Sequence, residues 1–315
     1  MQSDKLDAVD RALVERLRID GRESNRALGE ALGISEVAVA NRLRRLEECS
    51  VMRVVAVTDM RIFGHRELSF ALLRVSGRSP IEVAQAIEKL PDVVAVTAVI
   101  GRIDLVVPML GRNHRHLAQL FGTTLPRVAG VDSVQGLLAL DVLKFESKWG
   151  VLSADSGTAP DSYPSESVDE LDLRILKRLQ VDARRSFRGL ASELGVSERT
   201  VRGRVKRLSV ENVIRIQAVS DVNAFGMNAN AYIGITATRG LTDEVGQNLI
   251  QRDDVAQLTR TLGEFDYIAV VIAPDRESLH RSVFGSIATI PGVRRAELFE
   301  AWANSKHNYA WGWLV

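Results

Sequence analysis

The chain has 315 residues, of which 46% are hydrophobic and 26% are charged, values typical of a globular protein with two domains or more. Its 41 Lys and Arg residues nearly balance 40 Asp and Glu residues, and a net charge of +1 argues against a generally basic coat protein or an acidic tail. The single cysteine, Cys49, excludes an intrachain disulfide framework and a metal site built from cysteines alone. The N-terminal residues are charged, and the most apolar run, 93–110, contains Arg102 and Asp104, so we expect no signal peptide and no membrane partner.

The sequence is an internal duplication. Shifted by 162 positions, residues 6–64 lie over residues 168–226 without a gap and with 24 identities in 59 positions. The same register persists downstream, where Gly101 and Asp104 lie over Gly263 and Asp266. Two units of this kind predict a tandem protein. The predicted segments are a helical domain (1–50), a strand-rich domain (51–150), a Ser/Asp/Pro-rich linker (151–167), a second helical domain (168–212) and a second strand-rich domain (213–315).

The predicted elements have the same order in both copies. Each copy begins with helical periodicity, as at Leu171, Ile175 and Leu179, and continues into a strand at 52–58 or 214–220. In the first copy we then predict a strand at 68–75, a helix at 79–90, strands at 93–100 and 104–110, a helix at 113–125 and a strand at 131–141. This βαββαβ order predicts a ferredoxin-like domain, which the second copy repeats over 229–301.

Residues 186–208 predict a helix-turn-helix. Gly195 ends the first helix, because glycine adopts the left-handed conformation easily, and Ser197 is suited to cap the second. The two apolar stripes are formed by Phe187, Leu190, Ala191 and Leu194, and then by Val201, Val205 and Leu208. Gly33 and Ser35 give the first copy the same frame.

The outward face of the second helix is basic, as a recognition helix requires. Arginines near its start can contact base edges in the major groove, and later ones can neutralise phosphates. The candidate DNA-binding residues are Ser35, Asn41, Arg42, Arg44 and Arg45 in the first copy, and Ser197, Arg199, Thr200, Arg202, Arg204, Lys206 and Arg207 in the second. The alternative is a solvated amphipathic helix with surplus charge, which the turn geometry and the repeat make less favourable.

The two copies differ in charge where DNA would lie. Residues 184–207 contain eight basic and two acidic residues, hence +6, whereas residues 22–45 contain five basic and three acidic residues, hence +2. Val37, Ala38 and Ala40 stand where the second copy has Arg199, Thr200 and Arg202. We therefore predict that the second copy supplies most of the affinity for DNA and that the operator is asymmetric.

Both copies contain the string D-x-x-D-x-x-[IL]-[LV]-x-x-L-x-x-D-x-R-x-S, followed by L-G-[IV]-S-E-x-x-V-x-x-R-[LV]-x-R-L. This pattern resembles the Lrp/AsnC family of bacterial and archaeal transcription regulators. The resemblance implies an α+β fold, with two winged-type helix-turn-helix DNA-binding domains, each joined by a hinge strand to a ferredoxin-like βαββαβ effector domain of the RAM/AsnC type. It also implies double-stranded DNA as a partner, a small-molecule effector such as an amino acid, and homo-oligomers in the cytoplasm, associated with the nucleoid. The tandem fusion is a departure, because the usual member is a single module that dimerises.

The resemblance implies an effector site at a Gly-x-x-Asp segment in each copy. The residues are Gly101 and Asp104 in GRID, and Gly263 and Asp266 in GEFD. Glycine allows a ligand to approach backbone N–H groups, and a carboxylate can accept hydrogen bonds from an α-amino group. A tight hairpin turn favours the same residues and is compatible with a ligand site.

Two other functions remain open from the sequence. Sirohaem decarboxylases resemble the same family and are enzymes, but their aromatic-Asn-Leu stretch does not occur here. A constitutive architectural DNA-binding protein is the second alternative. We expect no catalytic residue, no metal and no cofactor, and His114 and His116 point to different faces of a predicted helix.

Overall fold

The computed structural model describes residues 6–59, 67–150, 168–307 and 311–312, so the predicted linker lies outside the described residues. In chain order the helices are α1 (Ala8–Ile19), α2 (Asn25–Leu32), α3 (Glu36–Glu48), α4 (Pro80–Ile87), α5 (His114–Gln119), α6 (Glu170–Leu179), α7 (Phe187–Leu194), α8 (Glu198–Val210), α9 (Thr242–Ile250) and α10 (Arg276–Gly285). The strands are β1 (Met52–Asp59), β2 (Glu67–Val75), β3 (Ala95–Ile100), β4 (Leu105–Gly111), β5 (Val131–Phe145), β6 (Trp149–Gly150), β7 (Ile214–Asp221), β8 (Ala229–Ala237), β9 (Val255–Leu262), β10 (Tyr267–Ala273), β11 (Val293–His307) and β12 (Trp311–Gly312).

The described residues form two compact units, each of which combines equivalent parts of both copies. The first unit contains the two three-helix heads with β1, β6, β7 and β12, and the second contains the two βαββαβ domains.

In the first unit, each head is a helix-turn-helix preceded by one more helix. Gly33 and Gly195 end α2 and α7 with φ of 68° and 70°, in the left-handed region that favours glycine. The helices pack through the predicted apolar stripes, for example Val201, Val205 and Leu208 of α8. The strand after each head pairs with its equivalent, since β1 and β7 run antiparallel from Met52↔Ser220 to Thr58↔Ile214.

The second unit is a closed eight-stranded barrel with the order β10-β8-β11-β3-β4-β2-β5-β9. Each copy contributes four antiparallel strands, in the β5-β2-β4-β3 order of a ferredoxin-like sheet in the first copy. The copies join where β11 pairs with β3 and where β5 pairs with β9. In each copy the helices bury apolar residues against one face of the sheet, such as Val83 and Ile87 against Leu73 and Val96. The predicted α+β fold with its βαββαβ domains is confirmed.

Some boundaries differ from the predicted ones. The predicted helix 113–125 is α-helical only to Gln119 and continues as a π-helical turn, Leu120–Thr124. The last strand of the first copy extends to Phe145 rather than residue 141, because Lys144 and Phe145 still pair with β9 of the other copy. Among the described helices, none has the length and apolar character needed to cross a membrane.

Candidate nucleic-acid interface and effector loops

Helix α8 presents a basic surface along its exposed face. Ser197 caps the helix by accepting a hydrogen bond from the Thr200 backbone N–H at 3.0 Å, and the Ser197 and Thr200 hydroxyls lie 2.8 Å apart. Arg202 is 64% exposed and donates to Glu198 at 2.6 Å. Arg199 and Lys206 are exposed and have no hydrogen-bond or ion-pair partner among the described residues. These side chains are therefore available to an external anion.

The equivalent face of α3 is largely apolar and small. Ser35 caps this helix through the Ala38 N–H, and Val37, at the position of Arg199, is 69% exposed. Asn41 and Arg44 lie exposed further along. The structure thus brings the residues predicted for each copy to one helix face, with different chemistry in the two heads.

Four of the predicted phosphate-binding arginines are engaged in ion pairs within their own heads. Arg42 lies 2.6 Å from Asp7 and 2.8 Å from Asp10, and Arg45 also contacts Asp10. In the second copy, Arg204 contacts Asp169 and Asp172, and Arg207 lies 2.6 Å from Asp172.

These ion pairs tie the recognition helix to the start of the first helix of the head. Asp10 and Asp172 have side chains only 2% and 1% exposed. A buried carboxylate needs paired charges, so removing an arginine here would leave it uncompensated. The hydrogen bond to Asp10 raises the pKa of Arg42, and the hydrogen bond to Asp169 raises the pKa of Arg204. These arginines have a structural role, and phosphate contact by them stays a prediction.

A second arginine pair, which the sequence analysis did not single out, joins the two heads. Arg22 donates to the carbonyl oxygens of Ala183 and Arg185. Arg184, its equivalent, donates to the carbonyl oxygens of Gly21 and Glu23 at 3.0 and 2.9 Å. Each arginine thus holds the turn after the first helix of the opposite head. Burial lowers the pKa of both arginines. The signal was present in the repeated D-x-R-x-S motif, which contains both residues.

The two Gly-x-x-Asp segments are tight turns between paired strands. The Asp104 carboxylate accepts a hydrogen bond from the Val75 N–H at 2.8 Å, and the Asp266 carboxylate accepts one from the Ala237 N–H at 2.8 Å. One oxygen of each aspartate therefore holds the end of a neighbouring strand. Gly101 and Gly263 have φ of 156° and 150°, which an L side chain rarely adopts.

Each of these turns packs on the last long strand of the other copy. A Cβ atom at Gly263 would lie 2.7 Å from Leu137 Cδ2 on β5, and one at Gly101 would lie 3.3 Å from Phe299 Cδ1 on β11. The turn conformation favours glycine at both positions, and at Gly263 the close approach of the other copy also leaves no room for a Cβ atom.

The described residues contain no cluster of three or more His, Cys, Asp or Glu side chains suited to a metal ion. His114 Nδ1 lies 3.6 Å from Glu67 and His116 Nε2 lies 3.5 Å from Asp92. Trp302 is half-exposed on β11.

Two helix-turn-helix heads, one with a strongly basic recognition helix, together with two βαββαβ domains, define a duplicated DNA-binding regulator. The chain belongs to the Lrp/AsnC family of transcriptional regulators. The AsnC-type helix-turn-helix domain matches residues 6–47 and 168–209, and the Lrp/AsnC ligand binding domain matches residues 68–149 and 230–310.

The similar curated proteins are transcriptional regulators, and most of the length of each aligns with less than half of this chain. The HTH-type transcriptional regulator Ptr1 of Methanocaldococcus jannaschii is 37% identical over 127 residues, which is 40% of this chain and 86% of Ptr1. FL11 of Pyrococcus abyssi is 33% identical over 128 residues, 40% of this chain and 84% of FL11. Among solved structures, the siroheme decarboxylase NirDL aligns with a TM-score of 0.67 and 16% identity, covering 95% of this chain and 92% of that one. At this identity the likeness concerns the fold alone.

Proposed function

We propose that the protein binds duplex DNA through both recognition helices and regulates transcription in response to a small molecule. The observation that carries the proposal is the exposed basic face of α8, where Arg199 and Arg202 lie near the capped N-terminus and Lys206 lies further along. Such a face matches the geometry by which a recognition helix enters the major groove. A DNA-binding role would place the chain in the cytoplasm with the nucleoid.

The two heads contribute unequally in this proposal. Arg199, Thr200 and Arg202 are positioned to contact bases and phosphates, whereas Val37, Ala38 and Ala40 offer small apolar contacts such as those that thymine methyl groups accept. The first head retains Ser35, Asn41 and Arg44 on its exposed face. We expect one strong and one degenerate half-site, roughly one helical turn apart.

The test is selection of DNA sequences by the purified chain, followed by anisotropy titration of the selected duplex. Arg199→Ala with Arg202→Ala should weaken binding by about 30-fold or more, since each of the two base contacts contributes roughly 1–3 kcal/mol. The thermal unfolding midpoint should stay unchanged, because neither side chain is buried. Unchanged binding by this variant, or the absence of any selected sequence, would contradict the proposal.

Matched variants separate DNA contact from structure. Val37→Arg with Ala40→Arg gives the first head the two arginines that the second has at these positions and should increase affinity and the symmetry of the footprint. Arg204→Ala with Arg207→Ala should lower the unfolding midpoint as well as binding, because Asp172 loses its partners.

We also propose that the effector domains bind a small molecule, such as an amino acid, next to the Gly-x-x-Asp turns. The match to the Lrp/AsnC ligand binding domain supports this. The turns at Gly101–Asp104 and Gly263–Asp266 hold one oxygen of each aspartate in the fold, which leaves the other carboxylate oxygen for a ligand. Because the two turns differ in charge at Arg102 and Glu264, we expect the two sites to differ in preference.

A thermal-shift screen of amino acids tests this part, since a ligand that binds the native state raises its apparent stability. Asp104→Asn and Asp266→Asn, which retain an acceptor for the backbone N–H, should reduce the shift. If no amino acid shifts the midpoint, the architectural alternative is favoured. We expect homo-oligomers of the chain and no enzymatic activity. Binding of a tetrapyrrole, seen as a Soret band in the purified protein, would favour the enzyme alternative instead.

A further inference from the structure

We infer that the two effector domains have become complementary, so that the barrel accepts the first copy against the second and rejects two like copies. The surface concerned lies where each Gly-x-x-Asp turn meets the last long strand of the other copy. Its partner is the other half of the same chain. The inference is independent of DNA binding and of any effector.

The first observation is an ion-pair cluster that joins the copies. Arg102, in the first turn, donates to Glu264, in the second turn, and its Nε donates to Glu297 on β11 at 2.6 Å. The side chain of Gln135 on β5 donates to Glu264 at 2.5 Å, and Arg295 also contacts both glutamates. Hydrogen bonds from Gln135 and Arg102 outweigh partial burial and hold the pKa of Glu264 below its usual range. We call Arg102, Glu264 and Glu297 the latch.

The latch is built from equivalent positions that differ between the copies. Under the shift of 162 residues, Arg102 corresponds to Glu264 and Gln135 corresponds to Glu297. The third pair of positions carries Ser133 in the first copy and Arg295 in the second. Each copy therefore has a charge that the other neutralises: +1 at these positions in the first copy and −1 in the second.

Pairing of like copies would bring like charges together. Two first copies would place Arg102 opposite Arg102 and Gln135, with a total charge of +2 and no carboxylate at these positions. Two second copies would place Glu264 opposite Glu264 and Glu297, with a total charge of −2. The cross-copy pair alone is neutral. Like charges in contact oppose association, and this is how interfaces discriminate between similar partners.

The second observation is a hydrogen bond of a buried threonine hydroxyl that exists on only one side of the barrel. Thr97 of the first copy donates its hydroxyl to Asn304 of the second at 2.9 Å, and the Tyr232 side chain, whose pKa burial raises to about 12, hydrogen-bonds to Thr97. On the opposite side, Thr259 lies beside Val142 on the neighbouring strand. Phe70 and Val142 occupy the positions that correspond to Tyr232 and Asn304.

This contact also disfavours pairing of two first copies. Thr97 would then face Val142, and Phe70 would replace Tyr232, so the buried hydroxyl would lose both partners. A buried polar group without a partner opposes association. Charge therefore opposes both like-copy pairings, and hydrogen bonding further opposes the pairing of two first copies.

Two cysteine probes in the full chain, with Cys49→Ser as background, test the inference. The cross-copy probe combines Val99→Cys with Ala301→Cys, since residues 99 and 301 are paired on β3 and β11. The like-copy probe combines Val99→Cys with Ala139→Cys, because residue 139 is the equivalent of residue 301. In a glutathione redox buffer, the cross-copy probe should form a disulfide within one chain. The like-copy probe should form few covalent dimers.

Variants of the latch give the decisive comparison. Arg102→Glu and Glu264→Arg should each lower the equilibrium constant for forming the cross-copy disulfide in the glutathione buffer by about five- to tenfold. The reason is that a partly exposed attraction becomes a repulsion. The double exchange Arg102→Glu with Glu264→Arg should recover part of this loss, because position 102 regains its partner at 264 but then faces the carboxylate of Glu297. Tyr232→Phe with Asn304→Val gives the second copy the residues that the first has at positions 70 and 142. This variant should also lower the equilibrium constant of the cross-copy disulfide, independently of the latch.

The control is Arg281→Glu, which turns an exposed ion pair with Glu277 on α10 into a repulsion. This variant should leave the equilibrium constant of the cross-copy disulfide unchanged. The inference is overturned if the like-copy probe of the otherwise unaltered chain dimerises as readily as the cross-copy probe closes. It is equally overturned if the single latch variants match the control, or if the double exchange gives no recovery.

Discussion

The residues that end the two recognition helices share a backbone conformation but carry different side chains. Ser50 and Asn212 have φ of 54° and 53°, the positive-φ residues other than glycine among those described. The next N–H in each case closes the helix end, from Val51 to Leu46 and from Val213 to Leu208 at 2.9 Å. Asparagine tolerates this left-handed region better than serine does.

Ser50→Gly should therefore raise the free energy of unfolding by about 0.5–1 kcal/mol, because glycine removes the strain of a left-handed L residue. Asn212→Gly is the matched comparison and should have a smaller effect or none. Urea unfolding followed by circular dichroism measures both. If Asn212→Gly raises the free energy of unfolding more than Ser50→Gly does, backbone strain at Ser50 does not account for the effect.

At this scale the sequence predicted caps and buried stripes well, because they depend on neighbours a few positions apart. Ser35, Ser197, Gly33 and Gly195 all have the predicted roles. The partners of Arg204 could not be predicted, since Asp169 lies 35 positions away and only the packing of three helices brings the two together. For the same reason the sequence could not predict the contact of Arg102 with Glu264, because these residues are 162 positions apart.

At the scale of the element, the first helix of each head begins with the same charged cap. In the second copy, the Asp172 N–H donates to Asp169 at 2.9 Å, and the Asp169 N–H donates to Asp172 at 3.1 Å. Asp7 and Asp10 repeat this capping box in the first copy. The backbone N–H of the third helical residue, assisted by Arg204 or Arg42, lowers the pKa of Asp169 and of Asp7.

These shifts predict an acid-sensitive stability. A carboxylate whose pKa is lower in the folded chain contributes stability that is present above the unfolded value, about 3.9, and is lost as the pH falls through the folded value. The free energy of unfolding should therefore fall steeply below about pH 4. In Asp169→Asn, which can still cap but does not ionise, the fall should be shallower in denaturant titrations at pH 7, 5, 4 and 3.

Asp169→Ala is the control for the cap itself. Alanine removes both the hydrogen bond and the charge, so this variant should lose roughly 0.5–2 kcal/mol at pH 7, where the asparagine variant loses less. An Asp169→Asn chain with the same pH profile as the unaltered chain would assign the acid sensitivity to other groups.

The strands show a second limit of prediction at the same scale. The short β-rich runs of the sequence predicted all four strands of the first effector domain, but β5 extends four residues beyond the predicted end. Those residues pair with β9, which belongs to the other copy, through a register shift between Val142 and Lys144. Local hydrophobic pattern contains no information about a partner strand more than a hundred positions away.

At the scale of the whole molecule, the duplication has turned a symmetric arrangement into one with unequal halves. The two heads share the Arg22 and Arg184 clasp, yet Arg22 stacks on Phe187 at 4.0 Å, whereas Arg184 donates to Asn25 at 2.7 Å. Their recognition helices differ in the same way, with charge concentrated on α8. The near-zero net charge of the chain is thus an average over unlike parts.

The unequal heads predict an unequal footprint. On a selected operator, hydroxyl-radical protection should be strong over one half-site and weak over the other, because only α8 has Arg199 and Arg202 on its exposed face. Val37→Arg with Ala40→Arg should make the two halves more alike. Equal protection of two palindromic half-sites by the unaltered chain would contradict the proposed asymmetry.

The clasp predicts how strictly the operator is spaced. Arg22 and Arg184 hold the turn of the opposite head through its carbonyl oxygens, so each side chain restricts the movement of one head against the other. Given DNA binding as proposed, Arg22→Ala with Arg184→Ala should leave affinity for each half-site intact but broaden the tolerated spacing. Competition between operators with insertions of one to five base pairs measures this. Arg26→Ala, which removes an exposed arginine paired within its own helix, is the control and should keep the discrimination of the unaltered chain. If the clasp variant discriminates spacing as sharply as this control, the paired hinge strands β1 and β7 alone fix the heads.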